Sequence, residues 1–233
     1  MLSIIIPTLN EEKYLPKLLK SIKNQTFKDY EIIVSDNNSK DKTRQIAKEF
    51  GCKLVKGGNY PGISRNKGSK KAKGNFLLFV DADCVIPKNF LKSAMNEIKT
   101  KNLDIAGCKV MPLSNKIVDN IAFSIYNLWI ITTQFFYANA SGHGIFCKKN
   151  LHNKIKGFNE NIKLSEDMDY CKRARKKGKF RILNSVIIHT STRRFDNYGR
   201  FNTYLKLFLS AFYRIIFGEI KTNIFNYRFD YKK

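Results

Sequence analysis

Proline, acidic residues and paired cysteines are scarce in this sequence. Only 5 prolines and 13 glycines occur among 233 residues, which excludes collagen-like and low-complexity chains, and 43% hydrophobic residues exclude a disordered chain. The cysteines number five, and no two of them form a C-x-x-C pair. Isolated reduced thiols of this kind argue against a disulfide framework or a zinc site and predict a cytoplasmic protein.

Acidic side chains are strongly outnumbered by basic ones. Lysine and arginine total 43 against 19 aspartates and glutamates, so the formal charge is +24. Such a charge predicts an anionic partner, which could be nucleic acid, an anionic membrane surface or a phosphorylated small molecule. Charge alone does not choose among the three. The length fits one full-sized domain with a modest appendage.

The first hundred residues alternate short apolar segments with helix-like segments. The spacing predicts strands over Leu2–Ile6, Glu31–Ser35, Cys52–Val55 and Phe76–Val80, and helices over Glu11–Lys23, Asp41–Phe50 and Ile63–Ala72. Asn10 is the expected N-cap of the first helix. This alternation implies right-handed crossovers and therefore an open, Rossmann-like α/β fold, whose mainly parallel sheet is covered by helices. Ligands of such sheets bind beyond the carboxyl ends of the strands, where Asp36 and Asp81 are expected.

The second half of the chain is less regular. Its pattern predicts a helix over Pro87–Lys99 and a strand over Asp104–Val110. Residues 120–147 carry no formal charge, which is also typical of a membrane-spanning helix. Within 120–138, however, a polar stripe opposes the apolar residues, which favours a helix half in the core or at an interface. The stripe consists of Asn120, Ser124, Asn127 and Gln134.

The segment 191–233 is expected to form an extension of the domain. It contains nine basic and three acidic residues, and its spacing predicts a basic amphipathic helix over 201–217. The apolar positions of that helix are Phe201, Tyr204, Leu205, Phe208, Leu209, Phe212, Ile215 and Ile216. Two interpretations remain open here. The apolar face either enters the headgroup layer of an anionic membrane or packs on the core of the domain.

Acidic residues close two of the predicted strands. Phe76–Val80 runs directly into Asp81-Ala82-Asp83, so two carboxylates follow a buried strand. Carboxylates at this spacing can share a hard divalent cation, whose other ligands are waters and phosphates, although a surface turn can have the same sequence. Asp36 ends a neighbouring strand and could accept an N–H of a nucleotide base or cap the next helix.

Three further features carry donors or bases. The glycine-rich loop from Gly57 to Gly62 offers backbone N–H groups, and Arg65 adds a fork-shaped donor for a diphosphate, although the pattern matches neither G-x-G-x-x-G nor a P-loop. Acidic residues open a basic helix at Ser165–Tyr170; the helix dipole stabilises them there, and one of them could be a general base on a hydroxyl. His189 ends an apolar segment and is either a metal ligand or a structural histidine.

Taken together, these motifs resemble the family 2 glycosyltransferases. The resemblance spans about residues 1–190 and rests on ordered motifs at Ser3–Glu11, Ile32–Ser39, Arg65–Gly68, Asp81–Asp83 and Glu166–Asp167. It implies the GT-A fold, a sugar donor linked to UDP or GDP, and a divalent cation, Mg or Mn. It also implies an inverting displacement that moves one sugar to a hydroxyl of a glycan or lipid-linked acceptor.

The resemblance also implies a role for each matching residue. Residues 1–100 would form the nucleotide-binding half of the domain and 101–190 its acceptor half. Asp83 and His189 would bind the metal, and Asp167 would be the catalytic base. The residues implied for the donor are Thr8, Glu11 and Asp36 for base and ribose, and Arg65 and Asp81 for the ribose-diphosphate.

The sequence departs from the family pattern at two places. Asp36-Asn37-Asn38-Ser39 replaces the common Asp-Asp-Gly-Ser, but its first acid is retained. No Gln-x-x-Arg-Trp occurs, which favours transfer of a single sugar over processive synthesis. Arg193-Arg194 could contact phosphates or lipid headgroups, although solvated arginines are the default.

Two other functions remain as alternatives. A nucleotidyltransferase would use the same paired aspartates, metal and nucleotide, and a nucleic-acid-binding protein would account for the charge. No nucleic-acid motif appears, and the acidic residues cluster where a nucleic-acid groove would not hold them. We therefore expect no nucleic acid as partner. We expect a cytoplasmic protein in peripheral contact with the inner face of an anionic cell membrane.

Overall fold

The computed structural model describes residues 1–222, 224 and 225. The end of the predicted extension 191–233 and the side chain of Ile215 lie outside the described residues. The strands are β1 (Leu2–Thr8), β2 (Tyr30–Asp36), β3 (Lys53–Lys56), β4 (Phe76–Phe79), β5 (Cys84–Val85), β6 (Ile105–Pro112), β7 (Ile145–Lys148) and β8 (Phe180–Thr190). The helices are α1 (Leu15–Lys23), α2 (Thr43–Glu49), α3 (Pro61–Lys70), α4 (Phe90–Thr100), α5 (Ile117–Thr133), α6 (Lys149–Lys154), α7 (Glu166–Arg175), α8 (Arg193–Tyr198) and α9 (Arg200–Phe217).

The strands form one sheet in the order β3-β2-β1-β4-β7-β6-β8-β5. The first four strands of the chain are parallel to one another, and β6 is parallel to β8. β7 runs antiparallel between β4 and β6, and β5 runs antiparallel beside β8 at the edge. The predicted α/β fold with an open, mainly parallel sheet is therefore confirmed, and β5, β7 and β8 add three strands to the five predicted.

β1 lies between two hydrophobic cores because side chains on both of its faces are buried. Ile4 and Ile6 belong to a core shared with α1, α2 and α4, whereas Ile5 belongs to the core on the other face with residues of α7. α3 passes close over β1, since a Cβ at Gly68 would lie only 2.6 Å from Cγ2 of Ile5. All five cysteines are buried and unbridged, as predicted. This layering covers the sheet on both sides and leaves its carboxyl edge for a site.

The first helix begins later than its apolar spacing predicts. α1 starts at Leu15, whereas the prediction was Glu11–Lys23 with Asn10 as its cap. Asn10 instead adopts a left-handed backbone conformation with φ of 54°. The resulting turn places Glu11 ahead of the helix, where its side chain reaches the carboxyl edge of the sheet.

α5 presents part of its polar stripe to the sheet. The amide of Asn127 accepts the Val110 N–H at 2.9 Å and donates to the Val110 carbonyl at 2.8 Å, and the Gln134 side chain accepts the Ile182 N–H at 2.9 Å. The uncharged segment is thus half in the core, one of the two placements expected. Within the described part of the chain, no helix is long and apolar enough to cross a membrane.

α9 is likewise turned with polar side chains inward. Thr203, Ser210 and Arg214 are buried, whereas Phe208 and Phe212 on the apolar face are exposed. Of the two interpretations of this helix, packing of the apolar face on the domain is confirmed only for Tyr204, which is half-buried with its ring 4.7 Å from that of Phe195. It is wrong for the other described apolar positions, which are exposed: Phe201, Leu205, Phe208, Leu209, Phe212 and Ile216.

A glutamate of α4 compensates for an irregularity in β8. The register of β6 and β8 shifts where residues 184–186 bulge out of the ladder. The Glu97 carboxylate accepts the N–H groups of Asn184 and Ser185 at 3.1 and 2.8 Å, and the Lys101 ammonium at 2.6 Å. Burial alone would raise the pKa of Glu97, but these hydrogen bonds outweigh burial and lower the pKa to about 2.

We expect Glu97→Gln to lower the free energy of unfolding by about 1–3 kcal/mol at pH 7, because it weakens charge-assisted hydrogen bonds to the bulge. The folded-state pKa lies below the ordinary 4.5, so this stabilisation is present above pH 4.5 and is lost as the pH falls through about 2. Urea unfolding at pH 7 and pH 3 measures the loss, which should be smaller at pH 3. Glu49→Gln, on an exposed face of α2, should change stability by less than about 0.5 kcal/mol. Equal effects of the two variants at pH 7 would contradict this role of Glu97.

Candidate active site

A cavity of about 790 Å³ lies beyond the carboxyl ends of β1 and β4. Its walls come from the loop after β4, the N-terminal parts of α3 and α7, and one side each of α5 and α9. The volume lies within the range of about 300–1,000 Å³ that is usual for ligand sites. Six of the eight predicted site residues line this cavity: Thr8, Glu11, Arg65, Asp81, Asp83 and Asp167.

Arg65 joins two carboxylates in the cavity wall. Its Nη2 donates to Asp81 Oδ1 at 2.7 Å and its Nη1 donates to Glu166 Oε1 at 2.5 Å. Burial alone would raise the pKa of Asp81, but the positive charge of Arg65, the largest of several nearby, holds that pKa below its usual value. For Glu166 burial outweighs the arginine, and the pKa is raised. The contact joins α3 of the first half to α7 of the second.

The loop before β7 orients the predicted base. The Gly142 N–H donates to Asp167 Oδ2 at 2.7 Å, and the Met168 N–H donates to Oδ1 at 2.8 Å. A Cβ at Gly142 would lie 2.5 Å from Nη2 of Arg65, so glycine is required for this close approach. Both oxygens of Asp167 are thereby held by backbone N–H groups at the N-terminus of α7.

Asp36 and Thr8 end adjacent strands and are hydrogen-bonded to each other. Thr8 Oγ1 donates to Asp36 Oδ1 at 3.0 Å, and the Ser39 N–H donates to Oδ2 at 2.9 Å. Thr8 and Asn37 line the cavity, and Asp36 is buried directly beside Thr8 in the parallel register. Asp41, rather than Asp36, accepts an N–H of the first turn of α2, at 3.0 Å. Asp36 is therefore part of the site's edge and not the helix cap.

The extension contributes a second buried arginine. Arg193 of α8 donates to both carboxylate oxygens of Glu11, at 2.7 and 2.5 Å, and its Nε lies 3.2 Å from Asp83 Oδ2. Its guanidinium also lies 4.2 Å from the centroid of the Tyr14 ring. Burial raises the pKa of Glu11 to about 7, outweighing the arginine contact. The Arg193-Arg194 pair is visible in the sequence, but no sequence pattern predicts that Arg193 contacts Glu11 and Asp83.

His189 lies apart from the cavity wall. In β8 it pairs with Met111 of β6 and Val85 of β5, and the neighbouring Thr190 lines the cavity instead. Alternate residues of a strand point to opposite faces, so Thr190 and His189 face different ways. This placement gives no support to the predicted role of His189 as a metal ligand.

The cavity offers two carboxylates to a cation. Among the described residues, no group of three or more His, Cys, Asp or Glu side chains is arranged to hold a metal ion. Asp81 and Asp83 both face the cavity, however, and Mg²⁺ and similar hard cations commonly take one or two carboxylates and complete their shell with waters and substrate phosphates. The contact of Asp83 with a guanidinium shows that this position accepts positive charge. The pair therefore fits a cation completed by a diphosphate.

Comparison with known protein families and sequences places these residues in context. The sequence model of the family Glycosyl transferase family 2 matches residues 3–149. Over 132 residues the chain is 36% identical to the poly(ribitol-phosphate) beta-N-acetylglucosaminyltransferase TarS of Staphylococcus aureus, which covers 52% of this chain and 23% of TarS. Over 104 residues it is 38% identical to the GalNAc(5)-diNAcBac-PP-undecaprenol beta-1,3-glucosyltransferase of Campylobacter jejuni, covering 41% of this chain and 34% of that enzyme. The matched part is thus about a quarter to a third of each relative's length.

Solved structures share the fold. The crystal structure of residues 1–349 of S. aureus TarS in complex with UDP aligns with a TM-score of 0.67 at 23% identity, over 88% of this chain and 63% of that one. The mannosyltransferase PcManGT from Pyrobaculum calidifontis, in complex with GDP-Man and Mn²⁺, aligns with a TM-score of 0.71 at 19% identity, over 91% and 64%. The GT-A fold expected from the sequence is confirmed by these alignments.

We expect Arg65→Met to lower the free energy of unfolding by about 3 kcal/mol, because it leaves the buried carboxylate of Glu166 and the half-buried carboxylate of Asp81 without their shared counter-ion. Glu166→Gln removes one buried charge and keeps an acceptor for Arg65, so its cost should be about 1 kcal/mol or less. Urea unfolding of both variants at pH 7 measures the difference. A loss for Arg65→Met no larger than that for Glu166→Gln would contradict the bridge.

Proposed function

The chain belongs to glycosyl transferase family 2, and from this membership and the cavity geometry we propose that it moves one hexose-like sugar from a nucleotide-diphospho-sugar to an acceptor hydroxyl. The observation that carries the proposal is the convergence of Arg65, Asp81, Asp83 and Asp167 on one cavity of ligand size. The residues come from α3, the loop after β4 and α7. That cavity therefore combines carboxylates for a cation with an oriented base.

The donor's nucleotide belongs at the edge formed by β1 and β2. Hydrogen bonds from Thr8 and Ser39 hold the Asp36 carboxylate in place, which supports its assignment as the acceptor of a base N–H. Both terminal nitrogens of Arg65 donate hydrogen bonds to carboxylates. We therefore assign Arg65 the role of positioning Asp81 beside the ribose-diphosphate. Glu11 lines the same wall in contact with Arg193, which supports a place near the ribose.

A divalent cation, Mg or Mn, would be held by Asp83 with Asp81 beside it, and when bound it stabilises the negative charge of the departing diphosphate. Asp167 takes the proton of the acceptor hydroxyl in the inverting displacement. The acceptor oxygen bonds to the anomeric carbon while the bond from that carbon to the diphosphate breaks. Hydrogen bonds from Gly142 and Met168 keep the Asp167 carboxylate in place during this transfer.

The acceptor is a lipid-linked or glycan hydroxyl. The names of the two relatives include a diphospho-undecaprenol-linked glycan and poly(ribitol phosphate), and both are anionic molecules. A chain with a formal charge of +24 attracts such acceptors and the anionic membrane that carries them. We place the protein in the cytoplasm, peripheral on the inner face of the membrane.

We expect UDP or GDP, but not both equally, to bind in a Mn²⁺-dependent way, as measured by isothermal titration calorimetry. Asp83→Asn should weaken the Mn²⁺-dependent binding by about tenfold or more, because it removes a charged metal ligand. Asp196→Asn removes the same charge from α8 outside the cavity and should leave binding unchanged. Failure of folded wild-type protein to bind either nucleotide would overturn the proposal. Preference for a nucleoside triphosphate over both diphosphates would favour the nucleotidyltransferase alternative.

We expect Asp167→Asn to slow release of the nucleoside diphosphate from the donor by roughly 10²–10⁴-fold, because the proton acceptor is lost. The affinity for the nucleotide identified by calorimetry should remain within about twofold, since Asp167 is assigned to the acceptor side. Asp169→Asn, in the same first turn of α7 but bonded to Arg173, is the matched control. Equal rates for the two variants would exclude Asp167 as the base.

A further inference from the structure

The exposed apolar side chains of this protein are concentrated on two helices. Among the described residues, nineteen large hydrophobic side chains are exposed, and all but Met1 and Ile187 lie in segments 113–136 or 201–224. Exposed hydrophobic residues that occur singly are ordinary, but a contiguous patch marks an interaction surface. The term apolar surface is used below for Ile121, Ile125 and Leu128 of α5 and Phe201, Phe208 and Phe212 of α9.

Inward contacts hold both helices in this orientation. Asn127 of α5 is bonded to the backbone of β6, and Arg214 of α9 donates to Glu219 and to the Met168 sulfur of α7. Rolling either helix to bury its apolar side would break these bonds and leave buried polar groups without partners. The apolar surface is thus a consequence of how the helices are bonded.

The apolar surface continues into the candidate active site. Ile125, Phe208 and Phe212 are 63%, 69% and 55% exposed, and all three also line the cavity that holds Asp81 and Asp167. These side chains therefore form the rim of the cavity. The cavity lining thus combines carboxylates and arginines with apolar side chains.

α9 crosses the cavity with both ends attached. At its start, Arg200 donates to both oxygens of Asp119 on α5, at 2.9 and 3.0 Å. Beyond its end, Ile220 pairs with Leu164, just before α7. Side chains of both α5 and α9 line the cavity, which therefore extends between the two helices.

We propose that the apolar surface of α5 and α9 inserts into the headgroup layer of an anionic bilayer. The hydrocarbon chain of a lipid-linked acceptor then enters the cavity between the two helices. The proposal rests on the proposed function for its choice of acceptor. An anionic bilayer is the occupant because an apolar face on a chain of charge +24 matches both the apolar and the negative character of such a surface. The helices lie on the bilayer, since none in the described chain can cross it.

Co-sedimentation with phosphatidylglycerol vesicles tests whether the apolar surface binds an anionic bilayer. Wild-type protein should bind these vesicles more tightly than phosphatidylcholine vesicles at low salt, since only the former are anionic. Phe208→Asp should weaken the binding by roughly tenfold or more. It removes apolar area that the bilayer would bury and adds a negative charge to the apolar surface. Asn202→Asp adds the same charge to an exposed polar position of α9 and is the matched control, with a much smaller effect.

The sole tryptophan reports on the cavity. Trp129 lies on α5 and lines the cavity, so quenching of its fluorescence tests whether hydrocarbon chains enter the cavity. Phosphatidylglycerol vesicles with brominated acyl chains should quench Trp129 in the wild type more than unbrominated vesicles of the same composition do. Phe208→Asp should lose most of this quenching.

Three results would overturn the inference. They are absence of vesicle binding by the wild type, equal loss for Asn202→Asp and Phe208→Asp, or vesicle binding without quenching of Trp129. A concentration-dependent dimer in light scattering that Phe208→Asp abolishes, with no vesicle binding, would show that a second copy covers the surface. Nucleotide calorimetry on the same samples separates the cases, because loss of vesicle binding with Mn²⁺-dependent nucleotide binding intact leaves the proposed function standing.

Discussion

The contact of Arg65 with Asp81 and Glu166 joins residues 16 and 101 positions away in the chain. Glu166 is followed directly by Asp167, so the arginine that fixes Asp81 also fixes where α7 begins. The Gly142 loop fits against the same guanidinium and donates to Asp167. One buried cation thereby sets the distance between Asp81, which we assign to the donor, and Asp167, which we assign to the acceptor; such a fixed distance is the main geometric requirement of a transfer between two substrates.

Arg193 repeats this arrangement from the other end of the chain. It bonds Glu11, 182 positions away, and lies against Asp83. A buried carboxylate without a partner would be costly, so both acids depend on a residue of the extension. The extension is consequently part of the cavity wall, and α8 is held by the two acids that the family resemblance assigns to the donor and to the metal.

Local patterns predicted much of the fold and most of the site. Strands β1 to β4 are short apolar segments separated by segments with helical spacing. Asp36 and Asp81 follow two of these apolar segments in the sequence, which is enough to place them at the carboxyl ends of strands. β5, with two residues, is too short to give a periodic signal. The start of α1 was predicted too early because apolar spacing does not detect the left-handed turn at Asn10. The partners of Arg193 could not be predicted, since they follow from strand order and not from any spacing.

The orientation of α9 could not be predicted from the periodicity of its apolar residues. An amphipathic pattern reveals that a helix has two faces but not which of them meets the domain. Here the answer comes from Ser210 and Arg214, which are buried, so the phenylalanines face outward around the cavity rim. A cavity lined by both charged and apolar groups suits the two substrates that we propose, a water-soluble nucleotide-sugar and an acceptor with a hydrocarbon chain. With such a lining, the proposed donor would arrive from water and the proposed acceptor from the bilayer, and neither would leave its preferred solvent.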